Sequence, residues 1–170
     1  MLNLNIVKYF PEEISKIINE YFKEDAEEKN RTIEEIRLRV DKPIQLKFNG
    51  YEKILNKNIS QESILKTIQY VCDNSIYTYQ NQICEGFITV RGGHRIGITG
   101  NCIIENNKVT NINCISSLNF RIAKEVKDAS NKLLKYVLKY EENSIYNTLI
   151  ISPPGARKNY NNKRLSKKYK

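Results

Sequence analysis

Hydrophobic positions follow two rhythms along this chain. A spacing of three and four sets Ile14, Ile17, Ile18, Tyr21 and Phe22 on one stripe, which predicts a first helix. Pro11 stands where a first helical turn tolerates it, and Glu12 and Glu13 follow near the positive end of the helix dipole. The charged run 25–31 reads as a solvated connection. Alternation takes over at 35–40, E-I-R-L-R-V. Ile36, Leu38 and Val40 turn one way and Glu35, Arg37 and Arg39 the other, as in a half-buried strand. Pro43 interrupts the pattern and 44–48 resumes it. Asn49-Gly50 is a tight-turn signal that brings 51–55 back as a third strand. Ser60 is placed to cap a second helix, with Ile64, Leu65, Ile68, Val71 and Cys72 as its stripe.

Beyond this, 77–84 continues as a short helix, 86–90 is a strand, Arg91-Gly92-Gly93 turns, and 94–104 is another strand. Gly92, Gly93 and Gly97 are assigned to turns and strand twist rather than to phosphate binding. Asn106-Asn107 suggests a hairpin, and Phe120-Arg121-Ile122 lies in a further strand. Asp128 is placed to cap a third helix with Leu133, Leu134, Val137 and Leu138 on one face. The run 148–151, T-L-I-I, has the short apolar character of a central parallel strand. The expected fold class is α+β: an N-terminal domain over 1–125, then the opening of an α/β unit over 126–155. Residues 156–170 carry high charge and few apolar anchors, and are expected to be disordered.

At 170 residues the chain fits one domain and a fragment of another. No apolar run approaches a bilayer span, and the first eight residues lack a signal-peptide pattern. The expectation is a cytoplasmic protein, at most peripheral at a membrane. Cys72, Cys84, Cys102 and Cys114 form no C-x-x-C pair and are expected to be reduced and mostly buried. His94, the single histidine, has no ligand neighbour at metal spacing, so no metal site is expected and His94 is read as structural. No nucleophile–base pair stands out, and no catalytic residue is named. The net charge of +9 invites a nucleic-acid reading. Its distribution opposes that reading. Seven basic residues and no acidic one follow Ala156, and without them the net charge falls to +2.

The apolar run 148–151 leads into Ser152-Pro153-Pro154-Gly155-Ala156-Arg157-Lys158-Asn159. A strand followed by G-x-x-x-x-G-K-[ST] is a Walker A loop, whose glycines, lysine and hydroxyl close around phosphate and Mg²⁺. Here Ser152 stands for the first glycine, Arg157 for the second and Asn159 for the hydroxyl residue. Lys158 alone is in register. Ser152, Pro153, Pro154, Gly155, Ala156 and Lys158 are the remnant nucleotide-binding set. Codons exist for 157–170 in which loss of one base restores G-K-T-T-I-I-R-D after Ala156. The tail is therefore read as a shift of reading frame within the loop, with a genuine natural tail as the alternative.

The order of elements resembles the stage III sporulation protein AA family, ATPases related to the type II and type IV secretion ATPases. The residues that carry the resemblance are 35–44, E-I-R-L-R-V-D-K-P-I; 86–100, G-F-I-T-V-R-G-G-H-R-I-G-I-T-G; and 115–125, I-S-S-L-N-F-R-I-A-K-E, and it covers roughly 1–156. It implies an N-terminal α+β domain, a RecA-like ATPase domain using ATP and Mg²⁺, ring assembly, and the energising of a mother-cell to forespore channel with other stage III proteins as partners. It also implies that Arg95 and Arg121, on the last strands of the N-terminal domain, are placed where they can reach nucleotide phosphates; a surface or interdomain ion pair is the alternative role for each. With Arg157 where a glycine should allow close phosphate approach, this chain is expected to be inactive as an ATPase and to hold neither ATP nor Mg²⁺. Two other readings stand beside this one: an interaction module of the channel assembly, and a small basic nucleic-acid-binding protein.

Overall fold

Six strands of the N-terminal unit build one antiparallel sheet in the order β3-β2-β1-β6-β5-β4. They are β1 (Ile33–Arg39), β2 (Pro43–Phe48), β3 (Tyr51–Asn58), β4 (Phe87–Val90), β5 (His94–Glu105) and β6 (Lys108–Arg121). The computed structural model describes residues 6–24, 32–123, 136–139, 144–149 and 151. The chain divides into two compact units, Met1–Ala123 and Lys124–Lys170.

Three helices belong to the first unit: α1 (Glu12–Glu24), α2 (Gln61–Val71) and the short α3 (Gln80–Cys84), which follows a 3-10 turn at Ile76–Tyr79. The Pro11 carbonyl accepts from the Ile14 and Ser15 amides at the start of α1, a place where a missing proline N–H leaves nothing unpaired. The Ser60 hydroxyl accepts from the Ser63 amide and caps α2. Ile14 and Ile18 of α1 and Ile64, Ile68 and Val71 of α2 are buried. So are Ile36, Leu38, Ile44, Leu46, Phe48, Ile96, Leu118 and Phe120, the apolar positions of the strands. Phe120 packs its ring 4.6 Å from that of Phe10. Tyr21 and Phe22 of α1 meet Phe48 of β2 at 6.4 and 6.1 Å. Sheet and helices of the described residues therefore share one core. A hydrogen bond from the Ser63 hydroxyl to the Glu13 carboxylate ties α2 to α1 at 2.6 Å.

Several details depart from the sequence reading. Leu65 is 46% exposed, and Thr67 takes the buried place on α2. Positions 64, 67, 68 and 71 form the inward stripe, and the Thr67 hydroxyl is satisfied by donating to the Ser63 carbonyl one turn back. Residues 108–119 belong to one long strand with 120–121 because β5 supplies them a partner along its whole length, a non-local pairing that local pattern does not reveal. The cysteines are not mostly buried: Cys72 is, Cys84 is half-buried, and Cys102 and Cys114 are exposed on the β5–β6 ribbon, which reaches past the neighbouring strands.

In the second unit, Leu138–Lys139 (β7) pairs antiparallel with Ser144–Ile145 (β8). Leu138 thus lies in a strand rather than on the expected helix. Thr148, Leu149 and Ile151 lie in no strand, and Leu149 and Ile151 are 84% and 85% exposed. A short apolar strand of this kind needs neighbouring strands to bury it, and the described residues supply none. The expected start of a P-loop α/β domain is therefore not seen among them. Asp128, Leu133, Leu134 and Ile150, the connection 25–31 and the tail 156–170 lie outside the described residues.

Candidate functional site

The alternation that buries one face of the sheet leaves the other face polar. Register aligns Thr89, Arg95, Arg121, Glu35, Lys47 and Glu52 in one row across the six strands. The next row is Phe87, Gly97, Asn119, Arg37, Gln45 and Ile54. Thr99, Ser117 and Arg39 follow in a third. In these three rows Arg37, Arg39, Lys47, Arg95 and Arg121 stand with two carboxylates, Glu35 and Glu52, so the rows are net cationic.

Arg95 and Arg121 are direct cross-strand partners, and both are exposed. Like charges placed opposite one another oppose strand pairing. Among the described residues no carboxylate lies within ion-pair distance of either one. The Arg95 guanidinium lies 4.4 Å from the centre of the Phe87 ring, an attraction that orients it without neutralising it. Gly97, opposite Phe87 and beside Asn119, adds no side chain to this part of the face. Two unneutralised guanidinium groups at adjacent positions suit a multiply charged oxyanion, since each offers a planar fork of N–H donors.

The carboxylate that register sets opposite Arg121 is engaged elsewhere. Arg37 donates from Nε and Nη2 to the same Glu35 oxygen, at 3.0 and 2.8 Å, and from Nη1 to Glu52 at 3.1 Å. Partial burial pushes the Glu35 carboxyl up, but the hydrogen bond and charge of Arg37, with Lys47 and the Asn119 side chain, outweigh it and hold the group below the usual carboxylate range. Arg39 donates to Gln45. Sequence reasoning named Arg95 and Arg121 but not Glu35, Arg37, Arg39 and Asn119. The signal was present in the polar half of the E-I-R-L-R-V alternation, read there only as the solvent side of a strand.

The structure brings Arg95 and Arg121 together, while Ser152, Pro153, Pro154, Gly155, Ala156 and Lys158 lie outside the described residues. His94 is buried on the opposite face, and its Nδ1 accepts from the Ala123 amide at 3.0 Å. The turn over it requires glycine: Gly92 has φ +90°, and a Cβ there would fall 2.7 Å from His94 Nε2. Among the described residues there is no group of three His, Cys, Asp or Glu able to hold a metal ion, and no helix long and apolar enough to cross a membrane.

The family described as sporulation stage III, protein AA, matches residues 5–165, past the Ala156 boundary where the sequence suggests a change of frame. Stage III sporulation protein AA of Bacillus subtilis (strain 168) is 34% identical over 153 residues, which are 90% of this chain and 48% of that protein. The chain spans about half the length of that curated relative. No solved structure matches. With the family match covering nearly all of the sequence, the chain belongs to the sporulation stage III protein AA family.

Proposed function

We propose that this chain is the N-terminal region of a sporulation-associated P-loop ATPase, with its reading frame shifted inside the Walker A loop. The α+β domain directs Arg95 and Arg121 toward the phosphates of a nucleotide held by an ATPase domain. In the intact protein that unit uses ATP and Mg²⁺ and energises a mother-cell to forespore channel, assembled as a ring with other stage III proteins. The chain as it stands does not hydrolyse ATP. The observation that carries the reading is the exposed Arg95–Arg121 pair, set side by side with no carboxylate of the described residues at ion-pair distance. Such a pair costs stability in isolation and gains a role when an anion sits on it. Support for the nucleotide reading comes from the run at 152–158, which follows an apolar segment as a Walker A loop does.

The test continues the chain after Ala156 in the alternative frame, beginning Gly-Lys-Thr-Thr-Ile-Ile-Arg-Asp. The continued chain hydrolyses ATP in a Mg²⁺-dependent way, and Arg95→Ala or Arg121→Ala lowers turnover by about tenfold, the order expected for loss of one charged hydrogen bond to phosphate. Turnover indifferent to both arginines sinks the phosphate role. Genomic DNA around the Arg157 codon that encodes no ATPase domain in any frame sinks the frame reading.

A further inference from the structure

We infer that Arg37 is a positioning residue for the anion site: it keeps Glu35 away from Arg121 so that Arg121 stays available. This inference rests on the phosphate reading of Arg95 and Arg121. Register makes Glu35 the direct neighbour of Arg121 on β1, just as Arg95 is its neighbour on β5. An aspartate or glutamate opposite an arginine ordinarily forms a cross-strand pair. Here it does not. Glu35 is turned along its own strand to Arg37, which grips one carboxylate oxygen with two N–H groups. This grip turns the carboxylate toward the second row, where Arg37 lies, and out of the row that holds Arg121. The third N–H contact of Arg37, to Glu52 across β2, fixes the guanidinium from the far side.

The Glu35 side chain is only 17% exposed and that of Arg37 30%, so the pair is better shielded from solvent than a typical surface ion pair. Register leaves the carboxylate directly opposite Arg121, and it turns to that guanidinium if Arg37 is lost. It would then compete with any anion for the same guanidinium. Arg37 therefore acts on the site through Glu35, and its own charge is spent on Glu35 and Glu52.

A double-mutant cycle separates this from a simple loss of positive charge. Inorganic pyrophosphate is titrated at fixed pH and low salt into the chain, and into Arg37→Gln, Glu35→Gln and the double variant, following the Arg121 side-chain Nε–Hε resonance by NMR. Circular dichroism melts confirm that each variant is folded. Arg37→Gln weakens pyrophosphate binding by about threefold to fivefold, the scale of an exposed ion pair. In the Glu35→Gln background the same Arg37→Gln change has no effect, because no carboxylate remains to be released. An equal loss in both backgrounds overturns the inference and makes Arg37 an ordinary contributor of charge, as does a loss in neither. Absence of any pyrophosphate response in the unaltered chain overturns the phosphate reading itself. Response in the unaltered chain with an additive cycle leaves that reading standing and removes only the role of Arg37.

Discussion

Replacing Arg121 with alanine should leave the N-terminal unit at least as stable as before, although Arg121 is the last residue of a central strand. The side chain is exposed, lies opposite Arg95, and has no ion pair among the described residues. Side chains directly opposed across two strands start from Cβ atoms about 5 Å apart, and like charges there destabilise on the cross-strand scale of about 0.2–1 kcal/mol. Alanine forfeits some strand propensity, a smaller quantity at an exposed position. The balance is a gain of about 0.5 kcal/mol at low ionic strength. Urea unfolding followed by circular dichroism reads it directly as a shift in midpoint at constant slope. Because the repulsion is screened beyond a Debye length of about 10 Å at 0.1 M salt, the gain should shrink at 0.5 M. Arg95→Ala should gain less, since it also removes the contact with Phe87. A loss of more than about 1 kcal/mol for Arg121→Ala, independent of salt, would show that Arg121 makes a stabilising contact and refute the picture of an uncompensated pair.

Phe120→Ala, one residue away but fully buried against Phe10, should destabilise by about 3–5 kcal/mol in the same measurement. Iodoacetamide at pH 8 should label Cys102 and Cys114 in the native protein, whereas Cys72, buried and with its thiol pushed up to about 11 by burial and the Asp73 charge, should react only on unfolding. Glu35 is held below its ordinary value when folded, so its contribution to stability is present above the unfolded pKa of about 4.3 and is lost as pH falls through the lower folded value. Glu35→Gln should accordingly flatten the melting temperature between about pH 5 and about pH 3, as thermal scans across that range will show. Isothermal titration of ATP with Mg²⁺ into the chain as it stands should give no micromolar binding, and micromolar Mg²⁺-dependent binding would contradict the assignment of a broken Walker A loop.

The fold was legible where local pattern and final environment coincide. Ile36 and Leu38 alternate with Glu35 and Arg37 because a sheet with one covered face sorts them that way. Ser60 caps α2 by a bond three residues long. What stayed hidden depends on distant residues. The extent of β6 follows from β5, and the burial of Thr67 depends on a bond to Ser63 that hydropathy misses. The run 148–151 illustrates the opposite error, since its composition is that of a buried strand but Leu149 and Ile151 are exposed. At the site, Arg95 and Arg121 came from the family resemblance, and their opposition across β5 and β6 is a fact of register. The alternation sets Glu35 and Arg37 on one face, but that Glu35 is held by Arg37 and not by its cross-strand neighbour Arg121 is seen only in the structure.

The central claim is that Arg95 and Arg121 form the anion-binding element of this domain. It is tested most directly by titrating inorganic pyrophosphate into the chain with ¹⁵N-labelled arginine and following every side-chain Nε–Hε resonance. Arg95 and Arg121 should shift together and saturably, with a Kd on the order of millimolar or tighter, while Arg37 and Arg39 move little. Uniform, non-saturating drift of all arginines, or saturation centred on residues other than Arg95 and Arg121, would contradict it.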